Sequence, residues 1–294
     1  MCKFLLYAIF MGGIVYFFRL CRGKREIMKT RVISACVLII LVVACFAISP
    51  VTRILFLLAA LIMGIWEMCH AVSLKDIKCT SWVLYIYAVL ATAGIFLMEG
   101  NSRSVMLFFL AVFAVFTVGI CKEDISGPGT LASLGILVYP TVPLLMIMDL
   151  SLRQDWIPVF AIACISTWVC DSFALFGGKW FGKHKLAPKV SPNKTIEGSV
   201  TGAVSSMVAG VILYFVFKGT NYNISLVTCV LTGLICSSFG QVGDLAASLI
   251  KRMAGLKDYS NLIPGHGGVM DRFDSALFVL TMLYAFITLY GVVC

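Results

Sequence analysis

The hydrophobic residues of the chain fall into ten separated stretches of about the length of a membrane-crossing helix. Such a helix needs about 20 predominantly apolar residues, with a range of about 17–25. The stretches lie near residues 4–20, 32–49, 51–66, 82–98, 104–120, 132–149, 157–178, 200–217, 225–240 and 275–293. The first is short for a span, and the second and third are separated only by the turn around Pro50. The pattern predicts an all-α polytopic integral membrane protein with about nine to ten transmembrane helices and polar loops.

The composition supports the membrane class. Hydrophobic residues make up 61% of the 294 positions, charged residues make up 13%, and the mean hydropathy is +1.00. Soluble domains have roughly 45–50% apolar and about 25% charged residues, so these few charges could not cover a water-soluble surface. The twelve cysteines include no CxxC pair, and the three histidines share no metal-ligand spacing. Neither a disulfide framework nor a Cys/His metal site is predicted.

The distribution of basic residues predicts the topology. If the loop at residues 22–31 is cytosolic and the helices alternate in direction, only five of the 23 basic residues fall on the opposite side. These five are Lys3, Arg53, Arg103, Arg153 and Lys218. Cytoplasmic loops carry an excess of Lys and Arg, so the polar segments 179–199 and 241–274 are predicted to be cytosolic loops.

The net charge of +9 is explained by this topology and by attraction to anionic lipid headgroups. Basic residues are not interleaved with aromatic residues in the way that nucleic-acid binding requires, so no nucleic-acid partner is expected. A bacterial plasma membrane is the expected location, because the chain is short and has no long soluble N-terminal extension.

The polar run after Gly243 has the chemistry of a phosphate-handling site. On a helix, Asp244, Ser248, Lys251 and Arg252 would form one polar stripe. Carboxylates and cations are interspersed through the run, as Asp244, Lys251, Arg252, Lys257, Asp258, Asp271, Arg272 and Asp274. Hard oxygen ligands together with cations suit Mg²⁺ bound with phosphates. A solvated charged loop is the competing interpretation, but it does not explain the glycines.

A glycine-rich loop, Pro264–Gly268, precedes the last apolar stretch. Glycines let backbone N–H groups approach an anion closely. The last helix, predicted to begin near Asp271, would direct its positive end to the same place. We therefore expect the loop to bind phosphate. The alternative for Asp271 and Asp274 is that they only complement the dipole of the helix.

A second polar segment runs from Ser191 to Gly198 and follows several lysines. Ser191 and Pro192 fit an N-cap and a first helical residue. Lys194 and Thr195, close to a glycine, fit a contact with phosphate better than they fit a cap.

Three acidic residues lie inside or beside apolar stretches. An ionisable group at membrane depth is costly and usually faces a polar cavity, so Asp171 is expected to line the active-site cavity. Glu67 and Glu99 lie at the predicted ends of spans, where solvation is cheap, and receive no role.

The run from Ser248 to Asp274 resembles the signature of the phosphatidate cytidylyltransferases (CDP-diacylglycerol synthases) at every fixed position. It reads S-L-I-K-R, then K-D-Y-S, then I-P-G-H-G-G-V-M-D-R-F-D. The segment Ser191–Gly198 resembles the SPKKTxEG segment of the same family, and Met28–Arg31 resembles a common start of bacterial members. Two positions depart from the family pattern. Asn193 replaces a usual lysine, and Ala247 replaces a usual glutamate in the GDLxES stretch.

The resemblance covers about residues 28–294 and implies one membrane-embedded cytidylyltransferase domain there, with its catalytic part at 171–294. Residues 1–27 are then an N-terminal extension with a possible extra transmembrane helix. The implied reaction joins CTP and phosphatidic acid to give CDP-diacylglycerol and pyrophosphate. The implied cofactor is Mg²⁺, with or without a monovalent cation, and both a monomer and a homodimer are compatible with the resemblance.

The resemblance also implies roles for individual residues. The metal ligands are Asp244 and Asp271. The catalytic set is Asp244, Lys251, Arg252, Lys257, Asp258, Asp271 and Arg272. The substrate-binding set is Asp171, Ser191, Asn193, Lys194, Thr195, Ser248, His266, Gly267, Gly268 and Asp274.

Three alternative functions remain open at this stage. A CTP-dependent polyprenol or lipid kinase of related fold would transfer the γ-phosphate instead. A transporter of anionic lipid often has paired broken helices in two halves, whereas the polar motifs here are confined to the C-terminal half. A catalytically inactive relative with a scaffold role is suggested only by Ala247.

Overall fold

The computed structural model describes residues 25–97, 101–154, 156–220 and 224–290. The predicted stretch at 4–20 and Glu99 therefore lie outside the described residues. The helices are α1 (Arg25–Ile48), α2 (Pro50–Ser73), α3 (Ser81–Leu97), α4 (Asn101–Cys121), α5 (Gly127–Ile136), α6 (Val142–Leu152), α7 (Trp156–Phe181), α8 (Ile196–Phe217), α9 (Leu226–Ala254) and α10 (Met270–Tyr290). An irregular turn at Leu137–Thr141 joins α5 to α6.

Most of these helices are membrane spans by length and composition. Seven helical units in the described ranges are long and apolar enough to cross a membrane, with α5 and α6 counted together as Gly127–Leu152. Two shorter apolar helices lie at Ile33–Ile48 and Ser81–Phe96. Helices are required because lipid offers no hydrogen-bond partner to the backbone. The class of polytopic membrane protein is confirmed, and the seven spans within the described ranges are slightly fewer than the predicted nine to ten.

The turn around Pro50 is as short as predicted. Ser49 alone separates α1 from α2, and its side chain accepts a hydrogen bond from the Thr52 backbone N–H. Proline fits at the first helical position because that N–H would have no partner in the helix. The chain therefore reverses direction in one residue.

Helix α9 is longer than the apolar stretch that predicted it. The stretch ends near residue 240, but the helix continues to Ala254 and ends at Gly255, which has a φ of +78°. Glycine takes this left-handed conformation without a steric penalty. The residues of the predicted stripe are therefore helical, and this part of the helix directly continues a membrane span.

A small β-hairpin corrects the prediction for Ser191 and Pro192. Strands β1 (Lys185–Ala187) and β2 (Ser191–Thr195) pair antiparallel between α7 and α8. Ser191 and Pro192 are thus in a strand and do not start a helix. Thr195 is the N-cap instead, and its side-chain oxygen accepts a hydrogen bond from the Gly198 N–H. The fold is nearly, but not strictly, all-α.

Small residues bring α7, α8 and α9 close together. A Cβ atom on Gly202 of α8 would lie 2.9 Å from the Cys170 carbonyl oxygen of α7, and one on Gly233 of α9 would lie 2.5 Å from the Ser206 carbonyl oxygen of α8. Such contacts are typical of tightly packed membrane helices. They fix the hairpin, which leads into α8, against the polar end of α9.

The main hydrophobic core joins the two halves of the chain. Leu61 and Ile65 of α2 and Leu277 of α10 are fully buried in the same cluster. A Cβ atom on Gly64 of α2 would lie 3.0 Å from the Met270 sulfur, so the last part of α2 lies against the start of α10.

Candidate active site

The polar residues at the end of α9 differ in how deeply they are buried. Lys251 is buried with 8% exposure, and Asp244 and Ser248 are half-buried. Arg252 points to solvent, and its Nη1 donates to the Leu256 carbonyl oxygen over 3.0 Å. Arg252 therefore stabilises the end of the helix, where a cation is favourable.

Lys251 and Asp271 form a buried ion pair at the centre of the predicted site. Lys251 Nζ donates to Asp271 Oδ1 over 2.7 Å, and the side chains are 11% and 3% exposed. Asp271 Oδ2 accepts hydrogen bonds from the backbone N–H groups of Tyr259 (2.8 Å) and Gly268 (2.9 Å). The pair thus joins α9, the following loop and the start of α10. Removing one partner of such a pair leaves an uncompensated buried charge.

Tyr259 closes one side of this pair. Its ring centroid lies 5.5 Å from Lys251 Nζ, and its hydroxyl donates to the Ala247 carbonyl oxygen over 3.0 Å. Burial raises the pKa of the Tyr259 phenol well above its usual range. The phenol therefore stays protonated and keeps its hydrogen bond at working pH.

Glu67 of α2 is the polar residue that the sequence analysis missed. It was placed at the end of a span, but α2 continues for six residues beyond it and its side chain is fully buried. Oε1 accepts from the Ser260 hydroxyl (2.6 Å) and the Val269 N–H (2.9 Å), and Oε2 accepts from the Met270 N–H (2.7 Å). A carboxylate from the N-terminal half therefore lies at the positive end of α10.

The glycine loop is organised around these two carboxylates. Gly265 and Gly267 have φ values of +77° and +81°, and Ile263 and Gly267 pair as an isolated bridge. The backbone N–H groups of Gly268, Val269 and Met270 all donate to Asp271 or Glu67. We predicted that the backbone N–H groups of this loop and helix start bind a phosphate. Protein carboxylates already accept hydrogen bonds from these three N–H groups, so these three are not available to a phosphate.

The predicted hairpin residues meet α9 through one ion pair. Lys194 Nζ contacts Asp244 Oδ2, with side chains 28% and 35% exposed. Thr195 is buried as the N-cap of α8, whereas Asn193 is exposed and Ser191 is half-buried in β2.

Asp171 is electrostatically linked to this ion pair. It lies within electrostatic range of Lys194, Asp244 and Asp274, although it is on α7. Three carboxylates thus interact electrostatically beside Lys194, and we call Asp171, Asp244 and Asp274 the carboxylate cluster.

The remaining predicted residues lie at the edge of the site. Lys257, Asp258 and Arg272 are exposed. His266 Nδ1 lies 2.9 Å from the Ser34 hydroxyl, which also donates to the Pro264 carbonyl oxygen. The contact from α1 to the loop was not predicted.

The described residues offer oxygen ligands for a metal, but no complete cage. No group of three or more His, Cys, Asp or Glu side chains in the described ranges is arranged to hold an ion. Mg²⁺ usually takes one or two carboxylates and fills its shell with water and substrate phosphates. A carboxylate has about four lone-pair sites, and Asp271 uses three of them. Asp244, whose side chain is 35% exposed, can offer an oxygen to an ion, whereas Asp271 is 3% exposed and keeps only about one free lone-pair site.

Substituting Gly268 with alanine is expected to disturb this arrangement. The added Cβ would overlap the Glu67 carboxylate, with Glu67 Cδ only 2.7 Å away. We expect the free energy of unfolding to fall by about 1–3 kcal/mol, since overpacking a tight contact has this cost. Thermal unfolding in detergent measures the effect. Gly135→Ala is the matched control, because a Cβ there meets nothing within 4 Å, and an equal loss in both variants would contradict the prediction.

Comparison with known proteins identifies the family. Residues 29–290 match the cytidylyltransferase family. The chain is 31% identical to the phosphatidate cytidylyltransferase of Bacillus subtilis (strain 168) over 274 residues, which cover 89% of this chain and 97% of the relative. It is 44% identical to the phosphatidate cytidylyltransferase of Staphylococcus haemolyticus over 131 residues, about half the length of that relative (49%) and 45% of this chain. The chain therefore belongs to the cytidylyltransferase family.

Proposed function

We propose that the chain transfers the cytidylyl group of CTP to phosphatidic acid and releases CDP-diacylglycerol and pyrophosphate. Family membership and the names of the relatives support this reaction. The observation that carries it is that two lysine–carboxylate pairs, Lys194–Asp244 and Lys251–Asp271, share the polar end of α9.

The position of these pairs suits a reaction between a soluble nucleotide and a lipid. Helices α7 and α9 end, and α8 and α10 begin, at the same side of the membrane if each crosses once. Glu67, near the end of α2, contacts the start of α10 and supports the same alternation. We propose that this side is the cytosol of a bacterium, as the distribution of basic residues predicts.

The reaction needs charge neutralisation more than proton transfer. An oxygen of the phosphatidate phosphate attacks the α-phosphorus of CTP, a new P–O bond forms, and the bond from the α-phosphorus to the bridging oxygen breaks as pyrophosphate leaves. The attacking phosphate is already ionised, so no strong general base is required. Fixed cations near developing negative charge stabilise such a transition state.

We propose that Lys194 and Lys251 are the cations that supply this stabilisation. Lys194 is partly exposed and can exchange Asp244 for a substrate phosphate, whereas Lys251 is held in place by Asp271 and the Tyr259 ring. Arg272 and Lys257 lie at the exposed edge, where they attract anionic substrates.

Magnesium is part of the same proposal. Asp244 and Asp271 would hold the ion, with Asp171 and Asp274 contributing negative charge nearby. When bound, the ion neutralises substrate phosphates and stabilises the leaving pyrophosphate.

Identification of the products tests the proposed reaction. The purified chain, supplied with CTP, phosphatidic acid and Mg²⁺ in detergent, is expected to form pyrophosphate and CDP-lipid in equal amounts. Chromatography of the lipid and enzymatic detection of pyrophosphate measure both. Release of CDP together with a newly phosphorylated lipid would instead establish a kinase.

A further inference from the structure

A polar cavity lies away from the candidate active site. It has a volume of about 420 Å³ and lies between the end of α2, the start of α3 and the loop from α4 to α5. Its wall on α2 includes Trp66 and His70, which are exposed, whereas Glu67 on the same helix points into the protein. The cavity therefore opens on the outside of the helix whose inner face supports the glycine loop.

The charged groups of the cavity suit one anion. Lys78 and Lys122 line it, and Asp124 is its carboxylate. Lys78 Nζ lies 4.0 Å from Asp124 Oδ2, and both side chains are well exposed, at 69% and 60%. An exposed ion pair at this distance contributes little to stability, so Lys78 can leave Asp124 to bind another anion. Two ammonium groups against one carboxylate leave one unmatched positive charge, which matches a single phosphodiester.

The aromatic groups of the cavity suit the lipid that carries such a phosphate. Trp66 and Trp82 are 45% and 48% exposed, and Tyr85 completes the aromatic wall. The Trp66 ring stacks on His70 with a centroid distance of 5.6 Å. Trp and Tyr are enriched at headgroup depth, where one side is apolar and the other is wet. A soluble ion would use the lysines but not this wall.

We propose that this cavity binds the headgroup phosphate of an anionic phospholipid at a site separate from the candidate active site. Lys78 and Lys122 hold the phosphate, and Trp66, Trp82 and Tyr85 contact the glycerol and the start of the acyl chains. The cavity lies at the same end of the helices as the carboxylate cluster, because α2 ends there and α3 begins there. The proposal does not depend on the proposed reaction.

Binding of phosphatidylglycerol to the full chain tests the site. Native mass spectrometry of the purified protein in detergent counts the lipids that are retained as phosphatidylglycerol is added. In the double variant K78Q/K122Q, we expect the affinity for one of the bound lipids to fall by about tenfold or more. Each lysine near an anionic headgroup strengthens binding, and the variant removes two of them. K78R/K122R keeps both charges and is expected to restore the binding.

The control is K185Q/K189Q, which removes two exposed lysines of the hairpin on the same side of the protein. Equal weakening in K78Q/K122Q and K185Q/K189Q would overturn the proposal, because only total charge would then matter. Equal binding of phosphatidylcholine would overturn the assignment of an anionic lipid. Competition by millimolar inorganic phosphate at this site would assign the cavity to a soluble ion and overturn the lipid assignment.

Discussion

Replacing Asp244 with asparagine is expected to reduce CDP-lipid formation by at least about 10²–10³-fold, the usual cost of removing one electrostatic group from a transition state. The substitution keeps the size of the side chain but removes the negative charge. Lys194 loses its partner, and the proposed magnesium site loses a ligand. Pyrophosphate release at saturating CTP and phosphatidic acid measures the effect.

Asp244 gives a clearer test than Asp271. Asp271 also holds Lys251 and two backbone N–H groups, so a change there disturbs the fold and the chemistry together. Asp244 is half-buried with one ionic partner among the described residues. Asp76→Asn is a suitable control, since Asp76 is exposed and asparagine tolerates its φ of +58°. Normal turnover by Asp244→Asn at limiting Mg²⁺ would exclude Asp244 as a metal ligand.

The second large effect is expected from Glu67→Ala. This change leaves the Ser260 hydroxyl and the N–H groups of Val269 and Met270 without their acceptor. A buried unsatisfied group costs about 1–3 kcal/mol. The Met270 N–H is buried and the other two donors are half-buried, so we expect a total loss of about 3 kcal/mol. The midpoint of thermal unfolding in detergent should fall by about 5–10 °C, and turnover should fall with it.

Two further variants separate the acceptor role of Glu67 from general effects. Glu67→Gln keeps one carbonyl oxygen and should lose less stability than the alanine variant, because only part of the acceptor capacity disappears. Glu123→Ala removes an exposed carboxylate and should change the midpoint little. If Glu67→Ala unfolds at the same temperature as Glu123→Ala, the loop does not depend on Glu67.

The helices and the polar groups at the end of α9 could be predicted because each follows from local sequence. Apolar stretches of the right length must form helices in lipid, and the Asp244–Arg252 spacing fits one helical face. The hairpin could not be predicted in this way, since Ser191 and Pro192 satisfy the local rules for a helix start. Strand pairing with Lys185 decides their structure, and such pairing is not visible in a short window.

Glu67 was missed for a related reason. The predicted span ended at residue 66, so the acid was assumed to meet water. Met68, Ala71 and Val72 are apolar and buried, and this continuation was the available signal that α2 extends past Glu67. Which groups donate to Glu67 depends on tertiary contacts, which a local pattern does not show. The glycines of the loop therefore predicted that the backbone lies close to an anion, but they did not predict that the anion is the Glu67 carboxylate.

The Glu67 contacts also determine when the site can assemble during synthesis. The donors to Glu67 follow it by 193, 202 and 203 residues. The second described helix therefore enters the membrane with a carboxyl group whose partners have not yet been made. These donors lie in the loop between α9 and α10 and at the first residue of α10, so the loop acquires its final shape only after this part of the chain has been made. A ribosome-bound chain that stops before Met270 should consequently bind no nucleotide at this site, however many of its spans are already inserted.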